Sequence, residues 1–274
     1  SSLYEQGIKA PAVSYNLAYA LLSDRQPEQA FQALEQIAGD DLSQVPQYPV
    51  LKGRVLYHLD RHQEAIDVVD AYLVDHDSDV NAMSLKAMVL LDSGQKLEAA
   101  KFAKQVLTLS AGDPEAHLVL GSIALDEQMA APARLHFERA VQAAPKLGRA
   151  WSGLGFTALM EQNVQEAPGH FEKAVAYMKD HPGTWHGLAW TKILQGDLVT
   201  ARKAVDAAME LDRNFADNHG SLAVISIFEG HPEEAESSIK RGLRLNPASP
   251  SCLFARSLML SWTGDVEASK QLVS

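Results

Sequence analysis

Small residues return along this chain with a spacing of 34, and larger apolar residues are grouped around them. One ladder of small residues runs Ala18, Gly53, Ala87, Gly121, Gly155, Ala189, Ala223 and Ser257. A second runs Ala30, Ala65, Ala99, Ala133, Ala167, Ala201, Ala235 and Ser269. Only the first step of each is 35. A fixed period of this length belongs to stacked helix pairs, because one pair cannot bury its apolar face alone. Numbering each repeat from 1 to 34 places the repeats near residues 11, 46, 80, 114, 148, 182, 216 and 250. The predicted organisation is a lead-in over 1–10 and one solenoid over 11–274, with seven full repeats and a truncated eighth.

Within that register, helix A is predicted over positions 1–14 and helix B over 17–30. Five repeats open with proline, which suits a first helical turn whose amides have no helical partner. Gly94, Gly196, Gly230 and Gly264 share one position in the turn between the helices, where a left-handed residue ends helix A. The ladders occupy positions 8 and 20, where small side chains let the helices approach closely. Phe137, Phe171, Val205 and Ile239 share the apolar position 24. Pro168 and Gly169 fall inside helix B of the fifth repeat, so that helix either is distorted near 164–169 or starts late with Pro168 in its first turn.

At this point the chain resembles the tetratricopeptide repeat family, whose pattern sets Trp, Leu-Gly, Ala, Phe and Pro at fixed offsets. Trp151, Leu154, Gly155, Ala167, Phe171 and Ala174 match it, as do Leu120, Gly121, Ala133, Phe137, Ala140 and Pro145 one repeat earlier. The resemblance implies an all-α, right-handed superhelical solenoid of antiparallel helix pairs. Lys52, Lys86 and Arg256 depart from it at position 7, where their stems lie on the core and their charges stay wet. Pentatricopeptide repeats have a period of 35 and read RNA, which suits an acidic chain poorly. Leucine-rich and ankyrin repeats need strand or β-turn signatures that the sequence lacks.

The resemblance also implies a groove lined by helix A positions 2, 5, 6, 9, 12 and 13. Position 9 reads Tyr19, Arg54, Met88, Ser122, Phe156, Trp190, Val224 and Leu258, and positions 5 and 6 add Tyr15, Asn16, Leu85, Val119, His186 and Phe254. The ligand-groove candidates are Tyr15, Asn16, Tyr19, Arg54, Met88, Ser122, Phe156, His186, Trp190 and Val224. Such a stripe suits the apolar anchors of an extended segment or amphipathic helix. The family's carboxylate-holding version needs Lys, Asn and Arg in consecutive repeats; here Arg54 stands alone.

Charge and composition narrow the partners. A formal net charge of −11 argues against nucleic acid and anionic membranes as partners. The single cysteine, Cys252, allows no intrachain disulfide and leaves the compartment open between a bacterial cytoplasm and periplasm. No apolar run approaches the ~20 residues of a membrane span. The sequence opens without Met and stops inside the expected last helix, so it is expected to be a piece of a larger protein. An uncapped last repeat, with Leu272 and Val273, leaves two expectations open: self-association through that end, or a missing helix that covers it.

Candidate chemistry fades once placed on the repeat. Gly153-Leu154-Gly155-Phe156-Thr157-Ala158 fits a dinucleotide fingerprint in spacing but lies within helix A. His58 and His62 straddle the turn and lack a third ligand. Asp75, Asp77 and Asp79 lack the glycine and closing glutamate of a calcium loop. Cys252 has no histidine partner. No catalytic residue, cofactor or metal is assigned. The expected function is a non-catalytic scaffold in a bacterial secretion, pilus or exopolysaccharide assembly; the alternative is a recruiting arm of an enzyme whose catalytic domain lies elsewhere.

Overall fold

The computed structural model of the protein describes residues 11–37 and 44–264. Among these residues there are fifteen helices and no strand. They are α1 (Pro11–Ser23), α2 (Pro27–Leu34), α3 (Tyr48–His58), α4 (His62–Leu73), α5 (Val80–Asp92), α6 (Lys96–Leu109), α7 (Pro114–Asp126), α8 (Ala130–Ala143), α9 (Gly148–Met160), α10 (Ala167–Tyr177), α11 (Pro182–Leu194), α12 (Leu198–Leu211), α13 (Ala216–Phe228), α14 (Pro232–Leu245) and α15 (Pro250–Thr263). Odd-numbered helices are the predicted A helices and even-numbered ones the B helices. The chain divides into two compact units, Ser1–Ile123 and Ala124–Ser274. Ser269, Leu272, Val273 and the expected lead-in lie outside the described residues.

In the first unit α1 packs on α2, α3 on α4 and α5 on α6, while α1, α3 and α5 also touch in succession. The small-residue ladders carry these contacts. Ala18, Ala30, Ala65, Ala87 and Ala99 are fully buried. A Cβ built on Gly53 lies 2.8 Å from Val69 Cγ2, so the α3–α4 approach leaves no room for a side chain there. Pro46 was expected to open α3 but stands two residues before it; Pro49 takes the first-turn place instead. Lys86 at position 7 holds its ammonium 2.5 Å from Asp70 Oδ1 and 4.1 Å from the Phe102 ring centre, so its charge is met by a carboxylate and a ring rather than by water alone.

The second unit repeats the plan with α9 on α10, α11 on α12 and α13 on α14, and with α9, α11, α13 and α15 in succession. Phe171 of α10 is its wedge, fully buried between α9 and α11. The glycines at 155 and 187 make room for it: a Cβ on either falls within 2.6 Å of its ring. Helix α10 starts at Ala167 rather than near 164, with Pro168 in its first turn, which decides between the two readings of that proline. Arginine staples join successive repeats here. The Arg134 guanidinium donates to both carboxylate oxygens of Glu161 and of Glu166, and Arg202 repeats the arrangement 68 residues later with Glu229 and Glu234.

Two features recur in both units and were only half visible in the sequence. Position 15 is left-handed in all eight repeats. The four glycines have φ between 76° and 92°, and Arg25, Asp60, Gln128 and Gln162 adopt φ of 57–60° at the same place. In four repeats position 4 supplies a ring N–H that closes the loop before its own helix. Trp151 Nε1 donates to the Pro145 carbonyl and Trp185 Nε1 to that of Lys179, both at 2.8 Å. His117 Nε2 reaches Ala111 O and His219 Nε2 reaches Arg213 O, both at 3.0 Å. A carbonyl only accepts, so both histidines carry their proton on Nε2.

Candidate ligand groove on the A helices

Residues four apart share one face of a helix, so positions 5, 9 and 13 of each A helix point the same way. The candidate residues separate by unit. In the first unit, Tyr15 and Tyr19 of α1, Gln47, Val50, Leu51 and Arg54 around α3, and Asn81 of α5 line an open cleft of about 500 Å³. Tyr19 is 62 % exposed and forms one lip; Asn16 is exposed beside it. Three candidates, Tyr15, Tyr19 and Arg54, are thus brought together. Ser122 is half-buried on α7 and lines no part of this cleft.

Arg54 is not a vacant cation. Its Nη1 and Nη2 donate to Oε1 and Oε2 of Glu115 at 2.5 and 2.8 Å. This fork joins α3 to α7, skipping α5. Burial works against the charged guanidinium, and the hydrogen bonds and charge of Glu115 outweigh it, so its pKa rises. Met88, at position 9 of the skipped helix, is buried. The side chain that was a groove candidate therefore lies in the core, on the one A helix spanned by the ion pair.

The second unit has the same arrangement in apolar form. The rings of Trp190 on α11 and Phe254 on α15 meet at 5.6 Å between centres, inclined by 67°. His186 on α11 also reaches α15, with Nε2 3.4 Å from Ser251 Oγ, and contacts Phe215. Both contacts skip α13, whose position-9 residue, Val224, is buried. Burial lowers the His186 pKa to about 4, against the pull of Asp217, so the ring is neutral at pH 7. Phe156 remains 37 % exposed and packs edge-on against Phe171, 4.9 Å between centres. Trp190 is half-buried.

Sequence reasoning missed one set of residues on this face. Position 13 reads Leu194, Phe228 and Trp262 on α11, α13 and α15, and these are 54 %, 56 % and 56 % exposed. Position 13 belongs to the groove set of the family pattern, and in these three repeats it is large and apolar.

The remaining sequence motifs have structural places in the stack. The Gly153–Ala158 motif is α-helical throughout. His58 ends α3 and His62 begins α4, so no single helix presents both. Asp79 caps α5, its Oδ1 accepting from Ala82 N at 3.0 Å, and its Oδ2 accepts from the Tyr72 hydroxyl. The buried Cys252 thiol is pushed up by burial, which makes it a poor nucleophile. Among the described residues no three His, Cys, Asp or Glu side chains are grouped to hold a metal ion, and no helix is long and apolar enough to cross a membrane.

Comparisons with known proteins agree with this architecture. A family model described as tetratricopeptide repeat matches residues 15–82 and 84–148. The human protein O-mannosyl-transferase TMTC3 is 38 % identical over 79 residues, 27 % of this chain and 9 % of that protein. The chain thus spans about a tenth of the curated relative that it matches. The structure of the APC/C hetero-tetramer Cut9–Hcn1 superposes with a TM-score of 0.68 at 18 % identity, covering 94 % of this chain and 48 % of that one. PilW, a type IV pilus biogenesis factor, superposes with a TM-score of 0.61 at 17 % identity, covering 76 % and 97 %. The motifs at residues 120–174, the stacked helix pairs and these matches converge: the chain belongs to the tetratricopeptide repeat family and has the fold of a protein-interaction scaffold.

Proposed function

We propose that this chain is a non-catalytic scaffold that receives a peptide or helix of another protein on its A-helix face, within a bacterial multiprotein assembly. The observation that carries the reading is the exposure of Phe156, Phe228 and Phe254 on the A-helix face of the second unit. Large apolar groups held in the open by a rigid stack cost solvation unless a partner covers them. The B helices, by contrast, carry most of the charge: α14 alone holds Glu233, Glu234, Glu236, Lys240, Arg241 and Arg244. The fold shared with PilW supports an assembly role of the pilus type.

The experiment is a pull-down from a bacterial lysate with the parent chain and with Phe156→Ala/Trp190→Ala, after circular dichroism shows that both are folded. Loss of a captured protein supports the groove; unchanged capture moves the site to the B helices or the loops. A second reading is favoured by the TMTC3 match: the chain is the recruiting arm of a larger transferase. A catalytic domain in the flanking gene sequence would decide for it. The same groove experiment applies, with the enzyme's substrate protein as prey.

A further inference from the structure

Leu194, Phe228 and Trp262, at position 13 of their helices, form an apolar ridge along one rim of the A-helix face. They occupy one position on three consecutive A helices that pack side by side, and each is more than half exposed. Each follows its groove residue by one helical turn, Leu194 after Trp190 and Trp262 after Leu258, so the ridge runs along the rim of the A face nearest the A–B turns.

Two properties of this rim specify what lies against it. The first is spacing. Packed helices sit about 8–10 Å apart. A helix lying across them rises about 10.5 Å in seven residues. Side chains at i, i+7 and i+14 of a crossing helix therefore meet Leu194, Phe228 and Trp262 in turn. The second is charge. Along α9, α11, α13 and α15 the charged residues are Arg149, Lys192, Asp217 and Arg256. Lys192 is paired with Glu172, and Asp217 accepts from Ser249 and Ser251. The turns after α9, α11 and α13, at 161–166, 195–200 and 229–234, contain Glu161, Glu166, Asp197, Glu229, Glu233 and Glu234 and no lysine or arginine. Arg134 and Arg202 each engage two of these six carboxylates. The rim is thus an uncharged apolar step beside an acidic edge, which opposes an acidic helix and an anionic membrane alike.

We propose that the ridge Leu194–Phe228–Trp262, with the acidic edge beside it, docks an amphipathic helix of a partner protein that carries apolar residues seven apart and lysine or arginine on the flank facing the A–B turns. This rests on the reading of the A face as the binding face and adds the partner's chemistry.

The test uses the full chain and three fluorescein-labelled synthetic 20-residue peptides, read by anisotropy. The first has Leu at three positions seven apart and Lys along one flank; the second has Glu for Lys; the third has the first's composition with a central proline. The first is expected to bind at least tenfold more tightly than the others. Phe228→Ser and Leu194→Ser, both at exposed sites, should each weaken it tenfold or more while thermal melts stay unchanged. Equal binding of the Lys and Glu peptides, or none of the first, overturns the proposal. Loss on Phe156→Ala/Trp190→Ala but not on Phe228→Ser overturns the ridge and leaves the groove reading standing. Sedimentation of the chain with phosphatidylcholine vesicles, abolished by Phe228→Ser, assigns the ridge to lipid and overturns the helix.

Discussion

Arg54 and Glu115 are 61 residues apart and meet as a two-pronged ion pair across an intervening helix. Most contacts in a repeat stack join neighbours, so this pair fixes a geometry that neighbour packing leaves soft. The side chains are partly exposed, which reduces what each hydrogen bond is worth. Glu115→Gln should cost about 1–2 kcal/mol, since it leaves a half-buried guanidinium without its counter-charge. A double-mutant cycle with Arg54→Met, read by urea unfolding, should give a coupling near 1 kcal/mol. Additive single changes would mean that the pair holds nothing.

The left-handed turn offers a stabilising change. Gln128 adopts φ 59° where four other repeats place glycine. A side chain in that conformation costs about 1–2 kcal/mol, of which glycine's extra chain entropy returns part. Gln128→Gly should raise the stability by about 0.5–1 kcal/mol, a melting shift of about 2 °C. Gly196→Ala should shift it the opposite way. A lowered melt for Gln128→Gly would show that its side chain does more than tolerate the turn.

Two glycines in neighbouring helices should respond with opposite signs. A Cβ on Gly155 falls 2.6 Å from Phe171 Cε2, whereas one on Gly169 meets nothing within 4 Å. Gly155→Leu should overpack the α9–α10 contact and cost on the order of 1–3 kcal/mol. Gly169→Ala should stabilise α10 by up to about 1 kcal/mol through helix propensity. Differential scanning calorimetry on the two variants checks both, and a Gly155→Leu melt equal to the parent's would refute the register.

Acid should unfold the protein in two stages. Burial holds His186 at about 4 in the folded chain, below the 6.5 of a free imidazole. The unfolded state therefore takes up a proton first, and stability is lost as pH falls from about 6.5 to 4. His181 and His219 are lowered in the same direction, again by burial first. Glu166, held at about 2 by Arg134 and then His170, loses its contribution lower down, from about 4.5 to 2. Urea midpoints at pH 7.5 and 5 should fall less for His186→Asn than for the parent. Glu166→Gln should flatten only the lower stage. An equal fall for parent and His186→Asn would remove His186 from the account.

How much of this was legible in the sequence depended on whether a feature obeys the period. The ladder residues, the helices they join and the glycine turns do, and the expected helix bounds of α6, α8, α12 and α14 match those observed. The turn at Gln128 obeys it too, but glycine was the only signal for a left-handed residue, so four turns went unread. His117 and His219 share no residue type with Trp151 and Trp185, so the period does not reveal them, although their position and their bond are the same. Met88 and Val224 sit at a groove position and are buried, while the contacts that skip their helices join residues 61–65 apart, a relation that no 34-residue period contains. Pro168 allowed two outcomes because a proline is equally at home in a first turn or at a break.

The ring N–H bonds at position 4 set the order in which the stack is finished. Four loops between repeats are sealed from their far side, by a residue in the first turn of the next helix: His117 seals the loop at Ala111, Trp151 the one at Pro145, Trp185 the one at Lys179 and His219 the one at Arg213. On a chain emerging from its N-terminus, each of these four repeat ends is closed only when the start of its successor has appeared. A fragment ending at Met160 keeps its last seal, and one ending thirteen residues earlier, at Leu147, does not. Where this stack is divided thus matters as much as how many repeats it retains.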